Sequence, residues 1–285
     1  MEPARPYRLG LVGHPVAHSR SPDIHRAALA ATGLAGAYEL FDAPSVVDLE
    51  ARLAELRAGA LDGLNVTLPH KRDAALRCDT LEGDASTLGV ANTLVVRQGR
   101  LVGHNTDAEG LARAIEARWP ARAWSGRAVL VLGAGGAAYA AVLAARRLGL
   151  AEVRVWNRTR ARADELAQAL GQARVSVFDD AREGAAGVAL IVQAGSGDMG
   201  LAPESDAWEQ AVVRALPIVS GSAPDAALVD LVYKPRRTTW VEAATRAGRD
   251  ADDGLAMLVH QARLAFTLWT GREPPLEPLL RALEG

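Results

Sequence analysis

Residues 128–138 read Ala-Val-Leu-Val-Leu-Gly-Ala-Gly-Gly-Ala-Ala, and the fold turns on how that stretch is read. Ala128 to Leu132 is an uncharged apolar run that suits a buried strand. Gly133, Ala134, Gly135, Gly136 and Ala137 follow, with Gly133, Gly135 and Ala138 spaced as G-x-G-x-x-A where a helix opens. Glycines there allow a tight turn and let a pyrophosphate approach the N–H groups of the helix terminus. A plain strand-to-helix turn would need fewer glycines, so the pattern predicts a dinucleotide-binding domain. The next strand, ending at Trp156, selects the dinucleotide. A site for NAD places a carboxylate there to take the ribose 2′-hydroxyl. This chain places Asn157, Arg158 and Thr159 there, followed by Arg160 and Arg162, with no carboxylate among them. Arg158 can stack on adenine and pair with a 2′-phosphate, Arg162 extends the cationic cluster, and Asn157 and Thr159 can donate hydrogen bonds. Cations fit the positive end of a helix poorly unless an anion joins them. The prediction is NADP.

Outward from this stretch, short β-branched or Leu-rich runs alternate with longer Ala/Leu/Arg stretches of helical period, the pattern of an α/β fold. Strands are predicted at Arg8–Val12, Ala37–Phe41, Gly63–Val66, Thr93–Arg97, Arg100–Gly103, Glu152–Trp156, Val188–Gln193 and Leu228–Val232. Helices are predicted from Ser21 with serine as its cap, at Val46–Arg57, after Pro69, and from Thr106 to Arg118. Further helices are predicted at 137–148, 161–170, 204–215, 239–247, 255–269 and 276–283. The restart of strand–helix alternation at Ala128, with a single glycine fingerprint, favours two domains over one (β/α)8 barrel.

Composition removes other classes. With 285 residues, 49% of them hydrophobic and 23% charged, the chain can bury a sizeable core. A net charge of -2 provides no basic surplus for nucleic acid. The uncharged stretch Ala128–Ala145 is long enough to suggest a membrane span, but its early glycines mark a strand, turn and helix. Cys78 is the lone cysteine and Met1-Glu2-Pro3 leads almost directly into a strand without a secretory pattern, so the expected location is the cytoplasm. Lysine occurs only at Lys71 and Lys234, in a chain otherwise rich in arginine. Arginine does not deprotonate in proteins, whereas lysine can be tuned for proton transfer. Lys234 reads as a surface residue beside a turn.

The N-terminal half carries dense polar clusters at the ends of elements: His18-Ser19-Arg20-Ser21-Pro22, Asn65-Val66-Thr67-Leu68-Pro69-His70-Lys71, Gly89-Val90-Ala91-Asn92-Thr93 and Gly103-His104-Asn105-Thr106-Asp107. Each alone suits a turn or cap. Together, ahead of a dinucleotide fingerprint, they resemble the substrate-domain motifs of the shikimate dehydrogenase family. The resemblance continues in Asp230-Leu231-Val232-Tyr233-Lys234-Pro235, in Met257-Leu258-Val259-His260-Gln261-Ala262, and in Phe266 and Trp269-Thr270-Gly271, so it runs nearly end to end.

The resemblance implies reversible, NADP-dependent interconversion of 3-dehydroshikimate and shikimate in aromatic amino-acid biosynthesis. It implies Lys71 and Asp107 as the catalytic pair, and Ser19 and Ser21 on the substrate carboxylate with Tyr233 assisting. Thr67, Asn92, Asp107 and Gln261 would hold ring hydroxyls. It further implies a substrate domain over residues 1–106, an NADP-binding Rossmann domain over 107–237, and C-terminal helices over 238–285 returning to the first domain, with a cleft between the two. Monomers and homodimers both occur in this architecture. Gln261 has an argument of its own, because its amide shares a helical face with Met257, Leu264, Ala265 and Leu268 and needs a partner there. Two departures stand out. Gln193-Ala194-Gly195-Ser196-Gly197-Asp198-Met199 replaces the family's usual Asn-x-Thr segment before Gly-Met, and Ala256 replaces a glycine. The rival readings are a relaxed-specificity quinate/shikimate dehydrogenase accepting NAD, and a non-catalytic NADP sensor.

Overall fold

The computed structural model describes residues 5–171, 175–198 and 200–283, and the chain forms two compact α/β units. One comprises the residues up to Gly110 together with those from Leu258 onward, and the other runs from Leu111 to Met257.

The first unit is laid down as β1 (Tyr7–Gly13), α1 (Ser21–Thr32), β2 (Gly36–Asp42), α2 (Val46–Arg57) and β3 (Gly63–Val66), followed by α3 (Lys71–Arg77). The short β4 (Thr80–Leu81) and α4 (Asp84–Leu88) lead to the hairpin of β5 (Thr93–Arg97) and β6 (Arg100–His104), then α5 (Asp107–Arg118). Its sheet has the order β2-β1-β3-β5-β6-β4, parallel through β2, β1 and β3 and antiparallel across β3, β5 and β6. Val12, Leu64, Val66, Leu94 and Leu101 pack against Leu49, Leu53 and Leu56 of α2, whose apolar stripe faces the sheet. Ser45 and Asp48 close a capping box at the start of α2.

The start of α1 differs from the sequence reading. Arg20, not Ser21, is the capping residue, because its carbonyl accepts the first ladder bonds from the Asp23 and Ile24 N–H groups. Pro22 already lacks one of the N–H groups a cap would satisfy. Ser21 therefore lies inside the first turn, buried, with its hydroxyl free of capping duty.

The second unit holds β7 (Ala128–Leu132), α6 (Gly136–Arg147), β8 (Glu152–Trp156), α7 (Arg160–Ala169), β9 (Val175–Val177), α8 (Ala181–Ala185), β10 (Leu190–Gln193), α9 (Asp206–Ser220), β11 (Ala227–Asp230), α10 (Thr239–Arg246) and β12 (Asp250–Asp253). The sheet is parallel throughout, in the order β12-β11-β10-β7-β8-β9. Counted from β7 this is the doubly wound order whose ligand crevice opens at the carboxyl ends of the first and fourth strands. Gly133 follows one of those strands and Ala194 the other. Gly133 adopts φ +113°, and a Cβ there would fall 3.0 Å from the Gly195 nitrogen.

The chain crosses between units within α5 and returns within α11 (Leu255–Thr270), before α12 (Leu276–Arg281) packs on α1. The return begins at Leu258, whereas the sequence reading placed it at residue 238. Residues 238–257 remain with the second unit because Trp240, Ala243 and Ala244 of α10 join the core around Trp208, Val212 and Leu228. No helix among the described residues is long and apolar enough to cross a membrane.

Candidate active site

Lys71 opens α3 and Asp107 opens α5, and the two meet with Nζ 2.6 Å from Oδ2. Their side chains are 28% and 14% exposed, so the pair is partly desolvated yet reachable. Asn105 Oδ1 accepts the Asp107 backbone N–H at 3.0 Å, which fixes the start of the helix. The carboxylate's other oxygen, Oδ1, accepts from Asn92 Nδ2 at 2.7 Å. Asn92 spends its second amide proton on Thr106 Oγ1 at 3.0 Å, and its oxygen accepts from the Thr106 N–H and the Thr93 hydroxyl, each at 2.9 Å. Its hydrogen-bonding capacity is therefore committed within the protein.

Gln261 donates its amide to the Leu258 carbonyl at 2.9 Å, and its oxygen lies 3.4 Å from Thr106 Oγ1. The amide on the apolar stripe thus has protein partners in its own helix turn and in Thr106. Thr67 stands at the end of β3, half-buried, its N–H bonded to the Val12 carbonyl. Ser19 and Ser21 form a hydroxyl pair, with Ser19 Oγ donating to Ser21 Oγ at 3.1 Å and accepting the Ser21 N–H at 3.2 Å. The structure thus draws Lys71, Asp107, Asn92 and Gln261 into one hydrogen-bonded group.

Four residues in this region had no site role from sequence, Thr106 being read only as a helix cap: Tyr38, Asn65, Thr93 and Thr106. Asn65, Thr93 and Thr106 lie within the motifs quoted above, where their types signal polarity without a direction. Tyr38 sits in β2, far from any motif, and only tertiary packing brings its hydroxyl to Asn65 Oδ1 at 2.8 Å. Burial lowers the His25 imidazole to about 3, so it is a neutral ring stacked 4.3 Å from Tyr38. Burial also raises the Tyr38 phenol.

The second unit carries the dinucleotide features. Gly135 caps α6, and a Cβ at Gly135 or Gly136 would meet nothing within 4 Å, so the backbone of this turn is open to a ligand. Ala134 is half-buried and Ala137 exposed beside it. Arg158 and Arg162 are exposed and make no ion pair among the described residues, whereas Arg160 pairs with Asp179 and, at 3.5 Å, with Asp164. Asn157 folds its amide onto the Thr159 carbonyl at 2.8 Å. Two unpaired guanidiniums at the end of β8 and an open glycine turn fit a dinucleotide bearing a 2′-phosphate.

The atypical segment after β10 is ordered by Gln193, whose Oε1 accepts the Gly195 N–H at 3.0 Å; Met199 lies outside the described residues. Nearby, burial raises Asp230 to about 7 against the opposing bonds from the Val232 N–H and the Thr238 hydroxyl. Tyr233 belongs to this unit and is half-buried, and Lys234 is exposed beside it.

A doubly wound parallel sheet with an open glycine turn, joined to a second α/β unit bearing a lysine–carboxylate pair, defines a two-unit dinucleotide-dependent oxidoreductase. Family models narrow this. The shikimate dehydrogenase substrate-binding domain matches residues 11–94, shikimate/quinate 5-dehydrogenase matches 116–214, and the shikimate 5′-dehydrogenase C-terminal domain matches 254–284. The NADP(+) shikimate dehydrogenase of Methylobacterium radiotolerans is 41% identical over 96% of this chain and 95% of its own length. The Thermus thermophilus shikimate 5-dehydrogenase, solved with NADP(H) and shikimate, superposes with a TM-score of 0.81 at 38% identity, covering 97% of this chain and 98% of that one. The Listeria monocytogenes enzyme, solved with shikimate and NAD, gives 0.86 at 28% identity, covering 99% and 98%. The chain belongs to the shikimate dehydrogenase family.

Proposed function

We propose that the protein catalyses the reversible, NADPH-dependent reduction of 3-dehydroshikimate to shikimate. The Lys71–Asp107 contact at 2.6 Å carries the reading, since it holds a proton donor and its orienting carboxylate in one place. The bound nicotinamide supplies the hydride. Lys71 stabilises the developing alkoxide and gives its proton to that oxygen, and in the oxidative direction it accepts the proton of the alcohol. Asp107 holds the ammonium in place and takes a substrate hydroxyl.

Ser19 and Ser21 receive the carboxylate with help from Tyr233, and Thr67, Asn92 and Gln261 hold the remaining hydroxyls. The turn at Gly133–Ala137 holds the pyrophosphate, and Arg158, Arg162, Asn157 and Thr159 hold the adenosine 2′-phosphate. The setting is a biosynthetic step in the cytoplasm.

One observation keeps a second reading in view: a relative at 28% identity is solved with shikimate and NAD. Turnover measured with shikimate or quinate, each with NADP or NAD, decides between the readings. Activity confined to shikimate with NADP supports the proposal. Comparable rates with quinate or NAD move the assignment to the relaxed-specificity reading, and NADP binding without turnover in any pair moves it to a sensor.

A further inference from the structure

A continuous run of hydrogen bonds passes through the interior of the first unit and ends on Asp107. The Tyr38 hydroxyl donates to Asn65 Oδ1 at 2.8 Å, and Asn65 Nδ2 donates to the Asn92 carbonyl at 3.0 Å and to Thr93 Oγ1 at 3.1 Å. The Thr93 hydroxyl donates to Asn92 Oδ1 at 2.9 Å, and Asn92 Nδ2 donates to Asp107 Oδ1 at 2.7 Å. Tyr38, Asn65, Asn92 and Thr93 are all buried, so water offers them no ready substitute.

The direction of the run is set by two backbone groups that have no choice of role. The Asn92 carbonyl can only accept, so the Asn65 NH2 faces it and the Asn65 oxygen faces Tyr38. The Thr106 N–H can only donate, so the Asn92 oxygen faces it and the Asn92 NH2 faces Asp107. Thr93, having accepted from Asn65, sends its proton on to Asn92 Oδ1. Every donor therefore points toward Asp107, and bonds aligned in this way polarise one another. The far end is rigid, because the Tyr38 ring stacks on His25 at 4.3 Å with the planes 6° apart.

We propose that Tyr38, Asn65 and Thr93 are positioning residues that hold the Asn92 amide, and through it the Asp107 carboxylate, in the geometry that meets Lys71. This rests on the reading of Lys71 and Asp107 as the proton-transfer pair. It assigns work to residues that need not touch the substrate, and it separates the Thr93 hydroxyl from the Thr93 methyl.

The test is steady-state kinetics with shikimate and NADP on Thr93→Val, Thr93→Ser and Tyr38→Phe, with thermal unfolding followed in parallel. Thr93→Val keeps the shape and removes two hydrogen bonds of the run, the one accepted from Asn65 and the one donated to Asn92, so kcat falls about tenfold while the shikimate KM stays within about threefold. Thr93→Ser restores the hydroxyl and brings kcat back to within about twofold, and Tyr38→Phe lowers kcat less than Thr93→Val does. An unchanged kcat in Thr93→Val overturns the proposal, as does a Thr93→Ser protein no better than Thr93→Val, which would assign the loss to packing. A rise in KM alone also overturns it, in favour of direct substrate contact. Each of these results leaves the proposed reaction standing, because the unaltered protein still turns over shikimate. An unaltered protein inert with every substrate pair overturns the reaction and the positioning role together.

Discussion

Asp107→Asn changes one atom of the site and conflicts with both neighbours of that side chain. The carboxylate accepts two bonds, from Lys71 Nζ on Oδ2 and from Asn92 Nδ2 on Oδ1. Asparagine has one acceptor oxygen, so its NH2 must face one of these two donors. Asn92 cannot turn its oxygen around to help, because the Thr106 N–H and the Thr93 hydroxyl both hold that oxygen where it is. If the new amide oxygen serves Asn92, the ammonium loses a charge-assisted bond worth about 1.5–3 kcal/mol and faces an N–H dipole of the wrong sign. If it serves Lys71, the Asn92 donor is left facing another donor in a buried place, at about 1–3 kcal/mol. Either arrangement also removes the negative charge that attracts the ammonium. A loss of about 3 kcal/mol in transition-state stabilisation lowers kcat/KM by roughly two orders of magnitude. Initial rates of nicotinamide reduction at varied shikimate, with cofactor affinity measured separately, read this directly. In the proposed reaction both residues serve one proton transfer, so Lys71→Ala combined with Asp107→Asn should be little slower than the worse single variant. An Asp107→Asn enzyme within about fivefold of the unaltered rate would refute the argument, since two facing donors cannot be held at so small a cost.

Arg158→Ala removes one of two unpaired cations at the end of β8, so the KM for NADP should rise about tenfold while that for NAD changes little, in the same initial-rate assay. Asp230, raised by burial to about 7, favours the protonated carboxyl in the folded state; its stabilising effect is whole below the unfolded value near 3.8 and is lost as pH rises through about 7. The unfolding free energy from urea titrations across that window should fall with pH by up to about 1.4 kcal/mol per unit, and Asp230→Asn should flatten the slope. Gly63 packs under Trp269, where a Cβ would lie 2.4 Å from the indole ring, so Gly63→Ala should cost about 1–3 kcal/mol in a urea titration.

The centre of the second sheet was legible because β7, β10 and β11 are mostly apolar runs and the turn after β7 carries glycine. β7 and β8 begin and end at the residues read from the sequence, and α2 and β3 in the first unit do the same. β12 shows why other elements escaped. Asp250, Asp252 and Asp253 make a poor strand by propensity, and nothing local offsets that. The strand forms because Arg122, Arg118 and Arg236 reach these carboxylates from distant positions, while β11 offers a parallel edge. β4, with two residues, and β9, with three, are too short to establish a period. Residues 238–257 were assigned to the wrong neighbour for a related reason: an amphipathic helix such as α10 announces a buried face without saying whose core it enters.

The same asymmetry runs through the site. Lys71 was conspicuous as a rare lysine in an arginine-rich chain, but Asp107 alone reads as a favourable acid at a helix start, and it is the family resemblance that pairs the two. Direction was not available. Nothing in Asn92-Thr93 or Asn105-Thr106 says which amide edge faces which hydroxyl, because that is decided by the Asn92 carbonyl and the Thr106 N–H once β5, β6 and α5 are in place. Tyr38 lies further still from any local signal, since its hydroxyl matters only after β2 and β3 have both aligned on β1. Sequence thus supplies the groups that carry charge and protons, whereas the orienting bonds arise from sheet register. A register error of one residue would turn each strand's side chains to the opposite face and separate Tyr38 from Asn65. The orientation of Asp107 is in this sense a property of the sheet, and the Thr93 variants probe it at the point where sheet and carboxylate are joined.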